Sequence, residues 1–309
     1  MLLPKCFYFP KCKANGGKEE LLKQLLTFHS LMRQSDLPTS EVYNYRAVLD
    51  QHFNMLDKDN AAAMELFKTC LKTQFNTSSL FGVVLTWGAD RFMNDEKLSQ
   101  QMGAAIADVF ADAAQSNGKS DALAMAMREL MRKASQTDNM PLFTQIAQLI
   151  RKQNPVKEPN PYPTEDFGGK ILSDKAMMKI STSGGFDYPN VYPFCLDTAR
   201  DVDRTFHTDN ETSPWAIVTL PGMSEITGIL VAPNRGYYRD RNVPIMVWVS
   251  ENGTDWTEVF TSAKLEPEWR IDLRSAPVKA KYVKVGRVPE FKKDCFHLGK
   301  ILIYGKPLY

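Results

Sequence analysis

The sequence predicts a two-domain chain, an all-α half followed by an all-β half, and three observations carry that prediction. Apolar residues recur at helical spacing from Lys18 to about Asn154, four prolines crowd the next nine positions, and beyond Asp166 the apolar period drops to two. A chain of 309 residues is about twice an ordinary domain, so each half can bury a core of its own.

Residues 1–17 read as an irregular N-terminus, in which Cys6 and Cys12 are unpaired thiols or a local disulfide. The all-α domain is expected over 18–154. Leu21, Leu22, Leu25, Leu26, Leu31 and Met32 place one stripe on the first helix, and Ser40-Glu41 opens a second that carries Val42, Tyr45, Val48, Leu49 and Phe53. Asp57 precedes a third over Lys58 to Phe75, with Ala62, Leu66 and Cys70 at helical intervals. Further helices are expected over Phe81 to Phe92, Glu96 to Gln115, Asp121 to Ala134 and Pro141 to Lys152, with Pro141 suited to a first turn and Asn117-Gly118 to a stop. Short helices joined by polar turns make an orthogonal bundle or an irregular stack of helical hairpins, and the lack of a fixed-period repeat argues against a solenoid. The methionines of this half read as core filling. Asp50, Glu65, Asp90 and Asp108 read as solvated helix faces, and His29 and His52 as packing or surface residues, because no nucleophile, paired carboxylate or phosphate-binding loop accompanies them. An enzyme is therefore not expected.

Residues 155–165 form a linker. Pro155, Pro159, Pro161 and Pro163 remove backbone donors and favour extended geometry, which makes a stiff spacer. The all-β domain spans 166–309. Ile226, Gly228 and Leu230 alternate with Thr227, Ile229 and Val231, Ile245, Val247 and Val249 alternate with Met246 and Trp248, and Tyr282 and Lys284 alternate with Val283 and Val285. Turn signals at Ser183-Gly184-Gly185 and Glu251-Asn252-Gly253 separate such runs, giving about eight short antiparallel strands with no helix between them, a sandwich. Trp215 and Trp256 are expected to fill its core.

Charge and hydropathy exclude some partners. A formal charge of +2, from 38 basic and 36 acidic residues mixed along the chain, leaves no footprint for nucleic acid. No apolar run is long enough to span a bilayer, and the opening Met1 to Cys6 is too short for an export signal. The five cysteines are too irregular for a zinc site or a disulfide framework.

Six ordered blocks of the second half carry a resemblance. They are Thr205-Phe206-His207-Thr208, Pro214 to Val218, Ile226 to Val231, Val249-Ser250-Glu251-Asn252-Gly253-Thr254-Asp255-Trp256, Ala280 to Val285 and Ile301-Leu302-Ile303-Tyr304-Gly305. Over about 145 residues the chain resembles factor V/VIII type C (discoidin) domains, and most closely the bacterial family 32 carbohydrate-binding modules. The resemblance implies a galactose-binding-like jelly-roll sandwich and non-catalytic binding of a galactoside or related glycan by loops at one end. It implies His207, Arg235 and Asp240 as the hydroxyl-binding groups, with Tyr237 or Tyr238 as the ring that covers the sugar, since Asn210 stands where many galactose binders carry tryptophan. The alternative is a structural or protein-binding surface protein with a degenerate site. The helical domain then serves as spacer or as a docking module for another protein.

Family members commonly hold a structural calcium between an acidic loop and a last-strand glutamate. Asp197, Asp201 and Asp203 keep the loop acidic, but Lys300 stands at the last-strand position, so the expectation is no cofactor, with the Lys300 ammonium pairing one of these aspartates, Asp197 foremost, in the cation's place and calcium as the alternative. The resemblance also brings Cys195 and Cys295 near each other, as a disulfide or as two buried thiols. It implies export to the periplasm, cell surface or medium, the signal having been removed.

Overall fold

A computed structural model describes residues 17–31, 39–74, 78–113, 121–153, 161–182, 192–198, 205–287 and 293–309. Cys6, Cys12, Met32, Asn117-Gly118, Ser183-Gly184-Gly185, Asp201, Asp203 and the linker stretch 154–160 lie outside them. The chain divides into two compact units, Met1–Leu142 and Phe143–Tyr309.

Seven helices are described, α1 (Gly17–Leu31), α2 (Thr39–Met55), α3 (Asn60–Gln74), α4 (Ser78–Phe92), α5 (Glu96–Ala113), α6 (Asp121–Gln136) and α7 (Met140–Gln153). Helix α3 starts later than Asp57 suggested. Asp57 and Lys58 take left-handed backbone angles that end α2, and Asp59 is the cap, its Oδ1 accepting from the N–H groups of Ala61 and Ala62 at 2.9 and 3.1 Å. Helix α4 packs on α2, α3, α5 and α6, which is why Leu80, Phe81, Val84, Leu85, Trp87 and Phe92 are all buried around it. Two of the four carboxylates read as solvated faces cross-link these helices, while Glu65 pairs with Lys68 on its own helix and Asp108 is exposed. Asp90 pairs with Arg46 of α2 and Lys133 of α6, while Asp50 of α2 pairs with Arg91 and accepts from Trp87 Nε1 at 3.1 Å.

Among the described residues of the second unit there are nine strands, every pairing antiparallel: β1 (Glu165–Asp166), β2 (Gly169–Ile171), β3 (Met177–Ile180), β4 (Trp215–Pro233), β5 (Ile245–Ser250), β6 (Thr257–Ser262), β7 (Trp269–Asp272), β8 (Val278–Arg287) and β9 (Leu298–Pro307). The long β4 shifts register between Thr219 and Ser224. Its first part pairs with β3 and β8, and its second with β7 and β9, the β8 pairing continuing past the shift through Ser224, Glu225 and Ile226. One core cluster joins the two layers, with Ala216, Val218, Val247, Val283 and Val285 from one and Ile229, Val231, Ile271, Ile301 and Ile303 from the other. These are alternate residues, as the two-residue period required. The all-α and antiparallel sandwich halves are thus as the sequence predicted.

Two tryptophans are not where the sequence reading put them. Trp215 and Trp256 are half-buried, and with Trp248 they surround the Lys284 ammonium at 5.9, 5.7 and 5.0 Å from their ring centres. Ala216 and Val218 face the core, so strand parity turns Trp215 and Ile217 outward, and the Lys284 cation offsets the exposure of the indoles. Phe194, Phe206, Phe296 and Trp269 fill the interior instead. The Asn252-Gly253 turn holds as expected, with Gly253 at φ +81° and Asn252 Oδ1 accepting from the N–H groups of Thr254 and Asp255 at 2.9 Å each.

Candidate functional site

Three loops converge beyond β4, β5, β8 and β9. The segment 205–211 is stitched to 294–298 by main-chain bonds: Thr205 N–H to Leu298 O at 3.1 Å, Thr208 N–H to Phe296 O at 3.0 Å, and a two-way bridge between Glu211 and Asp294. The loop 234–242 joins them through Asn242, whose Oδ1 accepts from His297 N–H at 3.3 Å and whose Nδ2 donates to Asn234 Oδ1 at 3.0 Å. Asn234 Nδ2 then donates to Tyr237 O at 2.9 Å. Both asparagines are fully buried, so this amide ladder fixes the loop from beneath.

His207 stands half-buried on this platform. Its Nδ1 lies 2.7 Å from Thr208 O, so the neutral ring carries its proton there and Nε2 is the acceptor. The ring sits 5.4 Å from that of His297, which is buried and donates from Nε2 to Tyr238 O at 3.2 Å. Tyr238 holds φ at +67°, an uncommon angle for a residue with a side chain, and its carbonyl also accepts Arg241 N–H at 3.1 Å. Arg241 lies 3.9 Å above the Tyr238 ring centre and pairs with Asp294 at 3.3 Å. The rings of Tyr237 and Tyr238 remain 88% and 59% exposed. Arg287 is buried nearby, where desolvation lowers its pKa against the pull of Asp294.

Of the residues the sequence singled out, His207 and Tyr238 share this cluster, with Tyr237 beside them. Asp240 is exposed, and its carbonyl accepts Val243 N–H at 3.3 Å. Arg235 lines a different concavity, shared with Tyr162, Arg239 and Glu268. Arg241, Asp294 and His297 were missed. Arg241 belongs to the same arginine-rich loop as Arg235 and nothing local distinguishes them, whereas Asp294 and His297 reach the site by closure of distant chain. Asn210 is exposed at the edge.

Lys300, only 1% exposed, donates from Nζ to Phe194 O and, at 2.7 Å, to Asp197 O. It contacts the main chain of Asp197, while Asp201 and Asp203, the other acidic candidates, lie outside the described residues. The Asp197 carboxylate accepts from Arg151 Nε at 2.5 Å. Among the described residues, two carbonyls held by an ammonium and a carboxylate held by a guanidinium do not assemble the six to eight oxygens that a calcium ion takes. Cys195 and Cys295 are free thiols, so the disulfide is not formed. Cys195 lies in the core, where burial raises its pKa to about 11, and Cys295 lies at the loop cluster with Arg241 and Asp294.

No family model and no curated protein matches the sequence. Solved structures do. A fucose-binding module of Streptococcus pneumoniae is 15% identical, with 46% of this chain and 99% of that one covered at a TM-score of 0.39. A Clostridium perfringens module in complex with GalNAc-beta-1,3-galactose is 15% identical, covering 44% of this chain and 100% of that one at 0.36. A fucolectin from striped bass serum is 15% identical, covering 46% and 51% at 0.37.

Proposed function

We propose that the sandwich is a non-catalytic glycan-binding domain that takes a galactoside or related sugar at the three-loop end. One observation carries this reading. His207, the Arg241–Asp294 pair and the exposed rings of Tyr237 and Tyr238 stand together on a loop platform pinned by buried amides. A sugar needs directional donors and acceptors for its hydroxyls and an aromatic face for its C–H surface, and this cluster offers both. His207 Nε2 accepts, Arg241 donates, Asp294 accepts, and Tyr237 offers the ring. The arginine of the site is then Arg241 rather than Arg235.

No step of this reading breaks a bond. The helical unit serves as spacer or docking module for another protein, and export follows from an extracellular glycan ligand.

Screening the full chain on a glycan array tests the reading. Binding to galactose- or fucose-terminated glycans is expected, with at least a tenfold loss in His207→Ala and in Arg241→Gln. Retained binding in both variants would place the ligand elsewhere.

A further inference from the structure

The outer face of the sheet made by β3, β4, β8, β5 and β6 carries an aromatic array that the His207 cluster does not use. Strand register sets Lys179, Ile217, Lys284, Trp248 and Glu258 in one row across it. Trp215 stands opposite Gly286 nearer the loop end, where a Cβ on that glycine would come within 3.1 Å of the Trp215 Cβ. The half-buried indoles of Trp215, Trp248 and Trp256 surround the Lys284 ammonium, within reach of a cation–π attraction. Among the described residues no carboxylate pairs with Lys284 or Lys179. The sealed polar atoms without a partner there belong to Arg91, Gln145, Arg239, Arg287 and His297, so the unpaired Lys284 Nζ reaches solvent. Burial lowers its pKa, as befits an ammonium stripped of part of its water.

Charge and shape choose the occupant. Two ammonium groups against the one carboxylate of Glu258 leave the row net positive, which favours an anion. Strands β4, β8 and β5 are paired on both sides, so an extended peptide finds no edge to join, and such an edge is a main source of its affinity. A pyranose needs no main-chain partner, because its C–H surface packs on an indole face. Adjacent strands lie about 4.8 Å apart, so the backbones of Lys179 and Lys284 are about 10 Å from each other, which suits an oligosaccharide better than a single sugar. We infer that this face is a second binding surface, for an acidic glycan whose uronic acid carboxylates meet Lys284 and Lys179 and whose rings lie on Trp248 and Trp215. The assignment is independent of the His207 cluster, since the two share no side chain.

Titration of the full chain with tetragalacturonate, the neutral galactose tetramer and tetraglutamate, read by tryptophan fluorescence and calorimetry, tests it. Excess D-galactose is present to occupy the loop end, and omitting it is expected to leave the tetragalacturonate affinity unchanged. Three of the five tryptophans lie on this face, so tetragalacturonate is expected to change the fluorescence. It is expected to bind about tenfold more tightly, or better, than either of the others. Lys284→Gln is expected to weaken it about tenfold, and Lys284→Arg, which keeps the charge and stacks on indoles, to hold it within about threefold. Trp248→Ala is expected to weaken it several-fold. Raising salt screens the pairing in the parent chain, so a fall in affinity is expected even where a variant does not fold. Equal binding of the neutral tetramer would show that the charge is not read, and equal binding of tetraglutamate that the occupant is an acidic peptide. Either result, displacement by galactose, unchanged fluorescence, wild-type affinity in Lys284→Gln, or no saturation at millimolar tetragalacturonate would overturn the assignment.

Discussion

Both ring nitrogens of His29 meet protein groups inside the helical unit. Nε2 lies 2.8 Å from His52 Nδ1, Nδ1 lies 2.9 Å from the Tyr45 hydroxyl, and that hydroxyl donates to Cys70 Sγ at 3.5 Å. Because the tyrosine hydrogen goes to sulfur, His29 Nδ1–H must donate to the Tyr45 oxygen, and Nε2 must accept from His52 Nδ1–H. The chain of bonds runs one way and suits two neutral rings. A proton added to His29 Nε2 would point at a donor. Burial, then the neighbouring His52, lowers the His29 pKa to about 3, and burial lowers that of His52 to about 4. Both folded values lie below the unfolded 6.5, so the unfolded chain takes up these protons first. The stability is complete above pH 6.5 and is lost as pH falls toward the folded values, at about 1.4 kcal/mol per unit and per ring, or about 4 kcal/mol for the pair at pH 5. Urea titrations followed by helical circular dichroism should therefore show the helical transition moving to lower urea from pH 7 to pH 5. His52→Gln should flatten that dependence, and a midpoint that ignores pH would contradict the buried neutral pair.

Among the elements, the loop 234–242 shows best how local structure makes a site. Asn242 bridges it to His297 and Asn234, so Asn242→Ala strands a buried amide oxygen and a buried N–H at once. A loss of about 2 kcal/mol in sandwich stability is expected by chemical denaturation, together with weaker glycan binding as Tyr237 and Tyr238 lose their fixed position. Unchanged stability and affinity would show that the loop is held by something else. The same loop marks where sequence reasoning stopped. Helix positions followed from apolar spacing and caps, and strands from parity, because both are local properties. The arginines of this loop were not distinguishable, because Arg235, Arg239 and Arg241 sit in one polar run and only the folded turn pairs Arg241 with Asp294 and sets Arg235 and Arg239 along a separate concavity. Trp215 misled for a related reason. Large aromatics suggest core, but parity with Ala216 decides the face, and the Lys284 that makes an outward indole tolerable lies on another strand.

At the scale of the whole sandwich, a buried ammonium on β9 bears on how the fold responds to its surroundings. The Lys300 ammonium is buried, with Phe194 O and Asp197 O as acceptors and the Tyr162 ring 5.8 Å away. A cation tied covalently to β9 cannot be chelated or diluted away, whereas a bound ion stabilises only in proportion to its concentration. The thermal unfolding of the sandwich is therefore expected to be the same with excess calcium as with a strong chelator. Lys300→Met keeps the apolar stem and removes the charge, leaving two buried carbonyls without their donor, and should lower stability by about 3 kcal/mol or more. Arg151→Gln tests the other half of the arrangement, since it deprives the buried Asp197 carboxylate of its guanidinium. The combination of chelator sensitivity in the parent chain with a mild effect of Lys300→Met would mean that a metal, and not the ammonium, holds the loop. The opposite combination would show that one residue on β9 does the work of a divalent cation in holding Phe194 and Asp197.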